Sequence, residues 1–256
     1  MKNTWVIGDV HGAYKALVQV MERTPLEKGD TIISLGDIAD GWSETYECVE
    51  LLLKMKEDYN MIFIKGNHDD VFLDWMTTGV HPWYWLQGAK ETAESYIRHT
   101  ERPIEVYPHM GGYNITLSNI DIPDSHQKFF KEQILKYIDE DNNLFVHGGF
   151  NRHEEISGQH KSVLIWDRDL WYAALSFKQI NPEAKFKMKD NFKEVFIGHT
   201  ATVNWKTDKP MSAANIWNLD TGAGFNGKLT CMNVKTKEYY QSDLVQELYK
   251  NEKGGN

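Results

Sequence analysis

The chain predicts an α/β fold with a parallel sheet covered by helices, on three observations. Between Trp5 and Ile64 short apolar runs alternate with helical patterns, in the order strand, helix, strand, helix, strand. Each of the three runs leads into a glycine followed by residues with metal-ligand chemistry. The phrases are Gly8-Asp9-Val10-His11-Gly12, Gly36-Asp37-Ile38-Ala39-Asp40-Gly41 and Gly66-Asn67-His68-Asp69. Two later apolar runs end in the same manner, at His147-Gly148-Gly149 and at Gly198-His199-Thr200.

Trp5-Val6-Ile7 is the first strand, and Tyr14 to Arg23 a helix with Leu17, Val18 and Met21 at helical spacing. Thr31 to Leu35 is the second strand. Ser43 is read as the N-cap of a helix carrying Tyr46, Val49, Leu52, Leu53 and Met55. Met61 to Ile64 is the third strand, and Val71 to Thr77 a short helix. In a parallel sheet ligands bind beyond the carboxyl ends of the strands, so the three polar phrases point to one shared site.

Residues 80–122 are the least regular part, with a helix expected over Lys90 to Arg98. The stretch 78–122 is read as an insertion beside the site within a single domain spanning 1–250. Asp124 is expected to cap a helix with Phe129, Phe130, Ile134 and Tyr137 at helical spacing. Asn143 to Val146 and Glu194 to Ile197 are the fourth and fifth strands. Asn215 to Leu219, Lys228 to Val234 and Lys237 to Gln241 read as further strands, and 251–256 as a frayed tail. Gly222, Gly224 and Gly227 read as turn residues, since no helix pattern follows them.

Composition narrows the function. A net charge of −9 argues against a basic nucleic-acid footprint, so no stable nucleic-acid binding is expected. An acidic chain still binds phosphate when bound cations supply the positive charge. The two cysteines, Cys48 and Cys231, have no motif spacing and read as buried thiols of a reducing compartment. The start Met1-Lys2-Asn3-Thr4 leads directly into a strand, and no run approaches the roughly 18 apolar residues of a membrane span. A cytoplasmic protein without a membrane partner is the expectation; the sequence leaves the oligomeric state open.

Phosphate-ester hydrolysis needs an activated water, cover for negative charge and a proton for the leaving oxygen. Two metal ions provide the first two. The strand-end phrases offer Asp9, His11, Asp37, Asn67, His147 and His199, an oxygen and imidazole set with no thiolate. Such a set suits manganese, iron, zinc, cobalt or nickel. A carboxylate such as Asp37 can face one ion with each oxygen. The sequence therefore reads as a two-metal phosphoesterase.

GDVHG, GDIAD, GNHD, HGG and GH, in this order, resemble the motif set of the calcineurin-like metallophosphoesterases. More narrowly they resemble the bacterial and phage branch of the PPP-type serine/threonine protein phosphatases, to which lambda phosphatase belongs. The symmetrical diadenosine tetraphosphatases are related. The likeness runs from Gly8 to Thr200 and is extended by Leu219-Asp220-Thr221-Gly222. It implies a four-layer αββα sandwich with mixed sheets and helices on both outer faces. It also implies roles: Asp9 and His11 at a first metal, Asp37 bridging, and Asn67, His147 and His199 at a second. His68 would be the general acid and Asp40 its partner. Asn67 and Arg168, the latter in Ile165-Trp166-Asp167-Arg168, would contact the substrate phosphate. A water activated by two divalent cations, manganese first among them, would attack phosphorus directly.

Two positions depart from that pattern. Gly41 stands where PPP-type enzymes carry a phosphate-gripping arginine, and Asp69 where they commonly carry glutamate. The missing arginine leaves room for a different substrate. The leading expectation is a phosphomonoesterase acting on phosphoserine, phosphothreonine and small phosphoesters. The alternatives are a hydrolase of dinucleoside polyphosphates and a non-catalytic phosphopeptide-binding scaffold. The Trp83-Tyr84-Trp85 cluster is read as an anchor for the insertion or a stacking platform for a base. His81, His99, His109, His126, His153 and His160 read as surface or structural, with Arg152 and His153 secondary candidates for substrate contact.

Overall fold

The structure, a computed structural model, describes residues 2–79, 88–109, 112–180, 184 and 186–255. The Trp83-Tyr84-Trp85 cluster and His81 lie outside these residues. Two five-stranded mixed sheets form the centre. In the first, β1 (Thr4–Ile7), β2 (Thr31–Ser34) and β3 (Asn60–Phe63) run parallel. The strands β11 (Thr230–Asn233) and β12 (Tyr239–Gln241) continue that sheet antiparallel beyond β1. In the second, β7 (Leu144–Val146), β8 (Val195–Ile197) and β10 (Ile216–Asn218) are parallel. The antiparallel edges of that sheet are β6 (Lys136–Ile138) and β9 (Met211–Ala213).

Strict alternation along the strands explains the layers. Val6 and Ile33, with Met232 of β11 beside Val6, face the second sheet, where they meet Phe145, Phe196 and Leu219. Phe145 and Phe196 stack with centroids 4.9 Å apart. Their strand neighbours point the other way. Trp5, Ile7 and Ile32 face helices α1 (Tyr14–Arg23), α2 (Thr45–Met55) and α3 (Asn67–Thr78). Leu144, Val146, Val195 and Ile197 face α6 (Lys161–Trp166) and α7 (Asp169–Ile180). Strands buried on both faces read as continuous apolar runs, which is why they are conspicuous in the sequence. The result is the four-layer αββα arrangement.

Part of the irregular stretch joins the first core. Helix α4 (Ala89–Ile97) buries Ala89, Ala93 and Tyr96 there, and its Ser95 hydroxyl accepts the Tyr46 N–H at 2.8 Å. A small hairpin follows, β4 (Val106–His109) and β5 (Gly112–Ile115).

Several local expectations are corrected. Ser43 does not cap α2; its N–H and hydroxyl both bind the Glu252 carboxylate, at 3.1 and 2.9 Å. The same contact corrects the frayed tail over 251–255, where the Gly255 N–H also binds the Gly224 carbonyl at 2.8 Å. Helix α3 begins at Asn67, not Val71. Helix α5 (Asp124–Glu132) has Pro123 at the cap position and ends before Ile134. There the backbone turns extended at Gln133, so Ile134 pairs with Ile64 and Tyr137 joins β6. Between the fourth and fifth predicted strands, α6 and α7 had no counterpart in the sequence reading. The last helix is α8 (Val245–Leu248).

Candidate active site

All five polar phrases meet at the carboxyl ends of β1, β2, β3, β7 and β8. Asp9 and His11 follow β1, Asp37 and Asp40 follow β2, and Asn67 and His68 open α3 after β3. His147 follows β7 and His199 follows β8. Except for half-buried His68, all are buried.

Two clusters share Asp37. One joins it to His11 and His68, the other to His147 and His199, with ligand-type atoms in each within 4.8 Å of one another. Asp37 Oδ2 lies 3.7 Å from His11 Nε2 and 3.3 Å from His147 Nε2. Its Oδ1 accepts the His68 backbone N–H at 3.0 Å. His147 donates Nδ1–H to the Leu35 carbonyl at 2.8 Å, which turns Nε2 inward toward Asn67 Oδ1 at 2.9 Å.

The donor set fits divalent cations. Asp9 Oδ1 and His199 Nε2 are fully buried with no hydrogen-bond partner among the described residues. An unmet buried acceptor costs about 1–3 kcal/mol, so such atoms converging with Asp37 and His147 mark a place for a positive charge. The electrostatics agree. Burial opposes charge on His147, but Asp37 and Asp9 overcome it and lift the imidazole to about 10. A field that holds a proton so firmly also holds a cation. Burial and the neighbouring His147 and Arg168 push His199 down to about 2, and burial pushes His11 down to about 4. Both rings therefore offer lone pairs. Burial works against the Asp37 carboxylate, yet the His147 and His68 rings hold it well below the usual range.

Close approach explains two of the glycines. A Cβ on Gly66 would lie 2.0 Å from Asp37 Oδ1, and one on Gly198 2.0 Å from Asp9 Oδ1. The β3 and β8 ends can reach the carboxylates only without side chains. The turns are tight enough that His11, Asp37, Asp40 and His199 take positive φ, at 51°, 48°, 67° and 65°.

His68 sits at the open side. Its Nδ1 is 2.8 Å from Asp40 Oδ2, and its ring meets His11 edge-on with centroids 5.1 Å apart. Burial alone would depress the imidazolium; the Asp37 charge and the Asp40 hydrogen bond outweigh it and raise His68 to about 9. The Asp40 carboxylate also accepts the Thr92 hydroxyl at 2.9 Å.

Arg168 lies at the exposed corner between α6 and α7, close enough to His199 and Asp220 to act on both electrostatically. It forms no ion pair with Asp167 or Asp169; Asp167 instead accepts the Leu170 N–H at 3.0 Å and opens α7. A Cβ on Gly149 would lie 2.4 Å from Asp167 Oδ1, so the His147 turn packs directly on this corner. The secondary candidate Arg152 is tied elsewhere, to the Lys187 carbonyl at 2.9 Å and over the Phe186 ring. His126 is buried between Tyr96 and Glu50, far from this chemistry in its contacts.

Gly41 has φ 104°, and a Cβ there would lie 2.9 Å from both His11 Cβ and the His11 carbonyl oxygen. Gly88 packs on its backbone: a Cβ on Gly88 would be 1.9 Å from the Gly41 nitrogen. The loop is thus built around glycine. Trp42 turns inward, donating to the Ala223 carbonyl at 2.7 Å and stacking on Tyr249.

Two residues were underestimated from sequence. Asp69 accepts four donors: the Ile38 and Ala39 N–H at 2.7 and 3.0 Å, Gly66 N–H at 3.2 Å and Gln133 Nε2 at 2.8 Å. It locks the Asp37 loop to the start of α3. Asp220 is a buried carboxylate that burial raises to about 6, and its charge in turn acts on Asp9. Its signal was the Leu219-Asp220-Thr221-Gly222 phrase.

Comparison with known proteins agrees with this geometry. The calcineurin-like phosphoesterase family matches residues 2–203, a span that includes every residue from Asp9 to His199. Serine/threonine-protein phosphatase 1 of Salmonella typhimurium is 22% identical over 247 residues, covering 91% of this chain and 93% of its own. The symmetrical bis(5'-nucleosyl)-tetraphosphatase of Coxiella burnetii is 25% identical over 275 aligned positions, covering 93% and 91%. The fold is shared with a cold-active protein-tyrosine phosphatase of a psychrophilic Shewanella species. That match has a TM-score of 0.57 at 14% identity, covering 95% of this chain and 81% of that one. A metallophosphoesterase from Sphaerobacter thermophilus gives 0.54 at 17% identity, covering 97% and 94%. Among the described residues no helix is long and apolar enough to cross a membrane. The family match spans most of the sequence and the whole convergence of strand ends, and on that ground the chain belongs to the calcineurin-like phosphoesterase family and is a hydrolase of phosphoester bonds.

Proposed function

We propose that this protein is a metal-dependent phosphomonoesterase acting on phosphoserine and phosphothreonine, with small aryl phosphates as further substrates. Asp9 and His11 would hold one cation, Asn67, His147 and His199 a second, and Asp37 would serve both, with manganese the first choice of metal. When bound, the cations supply an activated water and cover for phosphoryl charge. The chain's own groups do the rest. His68 carries a proton at Nε2 and delivers it to the leaving oxygen, while Asp40, at 2.8 Å from Nδ1, sets the ring's tautomer and direction. Arg168, whose charge is felt at His199 and Asp220, would grip phosphate oxygens.

The observation that carries this reading is the His68–Asp40 pair beside a cluster of buried acceptors. A proton donor set next to a cation site is the equipment of ester hydrolysis rather than of binding alone. The test is phosphate release from a phosphoserine peptide and from 4-nitrophenyl phosphate by manganese-loaded protein. No release from either, with both metals present by elemental analysis, would overturn it.

A second reading, cleavage of dinucleoside polyphosphates, is favoured by two observations: the relationship to the Coxiella burnetii enzyme and glycine at position 41. Chromatography of a diadenosine tetraphosphate digest separates the two. A product of two ADP supports the second reading, and intact substrate opposes it.

A further inference from the structure

Asp40 belongs to the loop after β2, whereas Thr92 arrives on α4, inside the stretch that interrupts the strand–helix alternation. The Thr92 hydroxyl donates to Asp40 Oδ1 at 2.9 Å and accepts the Asp40 backbone N–H at 2.8 Å. Its single proton is committed to the carboxylate. The 3.2 Å contact with Thr45 Oγ1 therefore has Thr45 as donor, and both lone pairs of Thr92 are used. Thr92, Thr45 and Asp40 are all fully buried, so water does not compete for these bonds. Asp40 takes φ 67°, in the left-handed region that aspartate enters more readily than most side chains. One hydroxyl thus binds both the backbone N–H and one carboxylate oxygen of Asp40, while the other oxygen faces His68 Nδ1 at 2.8 Å.

We propose that Thr92 is a positioning residue for the proton donor, so that the inserted helix α4 governs how well the enzyme cleaves esters with poor leaving groups. The inference rests on the reading of His68 as general acid. A serine or phenol oxygen leaves poorly unless it is protonated as the P–O bond breaks. A 4-nitrophenolate leaves readily without that proton. Loosening Asp40 frees the His68 ring to rotate, and the loss falls on the first kind of substrate.

The experiment compares Thr92→Val, which removes the hydroxyl at nearly constant shape, with Thr92→Ser and His68→Asn. Values of kcat/KM are measured on a phosphoserine peptide, phenyl phosphate and 4-nitrophenyl phosphate, with metal content and melting temperature checked for each protein. Thr92→Ala carries the same comparison if valine prevents folding. We expect Thr92→Val to lose about tenfold more on the phosphoserine peptide and phenyl phosphate than on 4-nitrophenyl phosphate, following the pattern of His68→Asn, and Thr92→Ser to recover most of it. Proton NMR of the metal-free protein gives a second readout. The downfield Nδ1 proton of His68, identified by its loss in His68→Asn, should broaden or vanish in Thr92→Val and return in Thr92→Ser. An equal loss on all three esters, or none, together with an unmoved resonance, would overturn the role of Thr92 while leaving His68 in place. A flat leaving-group response from His68→Asn itself would instead overturn the general-acid reading, and the inference with it.

Discussion

Replacing Gly198 by alanine tests the metal site through a residue that touches no metal. The new Cβ would lie 2.0 Å from Asp9 Oδ1, against the 3.4 Å at which ordinary contact begins, a shortfall of about 1.4 Å. Asp9 cannot simply swing away. Its Oδ2 is held by the His199 N–H at 2.9 Å, and the residue is buried. Gly198 has an ordinary φ, so alanine adds no backbone strain and the effect falls on the carboxylate. A misplaced ligand or a disturbed outer contact lowers metal affinity by about 10- to 100-fold. At about 1.4 kcal/mol per tenfold, that is roughly 1.4–2.8 kcal/mol. Manganese titration followed by calorimetry and by phosphatase activity reads the change directly. Gly158→Ala, where a Cβ meets nothing within 4 Å, is the control. Wild-type affinity in a folded Gly198→Ala protein would show that Asp9 holds no cation.

Three further outcomes follow from the same geometry. Asp40→Asn removes the carboxylate charge from the group that, with Asp37, overcomes burial to raise His68 to about 9; a neutral amide oxygen supports the imidazolium less, which then deprotonates at lower pH, so the alkaline limb of the kcat–pH profile should move down by about a unit or more, and an unmoved limb would contradict the pairing. Arg168→Ala should raise KM for phosphate monoesters about tenfold with metal content unchanged, and an unaltered kinetic profile would return Arg168 to an ordinary surface role. Phe145→Ala hollows the space between the sheets beside Phe196 and should cost about 3–5 kcal/mol in urea unfolding; a loss under about 1 kcal/mol would mean the sheets close over the gap.

Strands β1, β2, β7 and β8 were legible because both their faces are buried, which leaves uninterrupted runs such as Trp5-Val6-Ile7 and Val195-Phe196-Ile197; β3, a half-buried edge strand, was legible from its apolar run and the glycine phrase that follows it. The site residues were legible for a related reason: a strand that must end beside a carboxylate ends on glycine, as Gly66 and Gly198 do. Where packing between distant segments decides, the sequence was mute. Ile134 sits at helical spacing from Phe130, yet it leaves α5 to pair with Ile64. Ser43 has the chemistry of a cap but spends it on Glu252, far along the chain. Thr92 looks like any polar residue of an amphipathic helix, and only the fold brings it to Asp40. Helices α6 and α7 were missed because the polar and apolar residues between Asn151 and Ile180 give no single clean period.

The left-handed turns at His11, Asp37, Asp40 and His199 carry a consequence for anyone engineering this protein. A side chain in that conformation costs on the order of 1 kcal/mol relative to glycine, and here four such positions sit around one pocket. A library selected for heat resistance alone would therefore be drawn toward glycine at 11 and 199, while at 37 and 40 the bonds to His68 and Thr92 oppose that drift. The survivors would be sturdier than their parent and chemically inert, so any such campaign has to score turnover alongside melting.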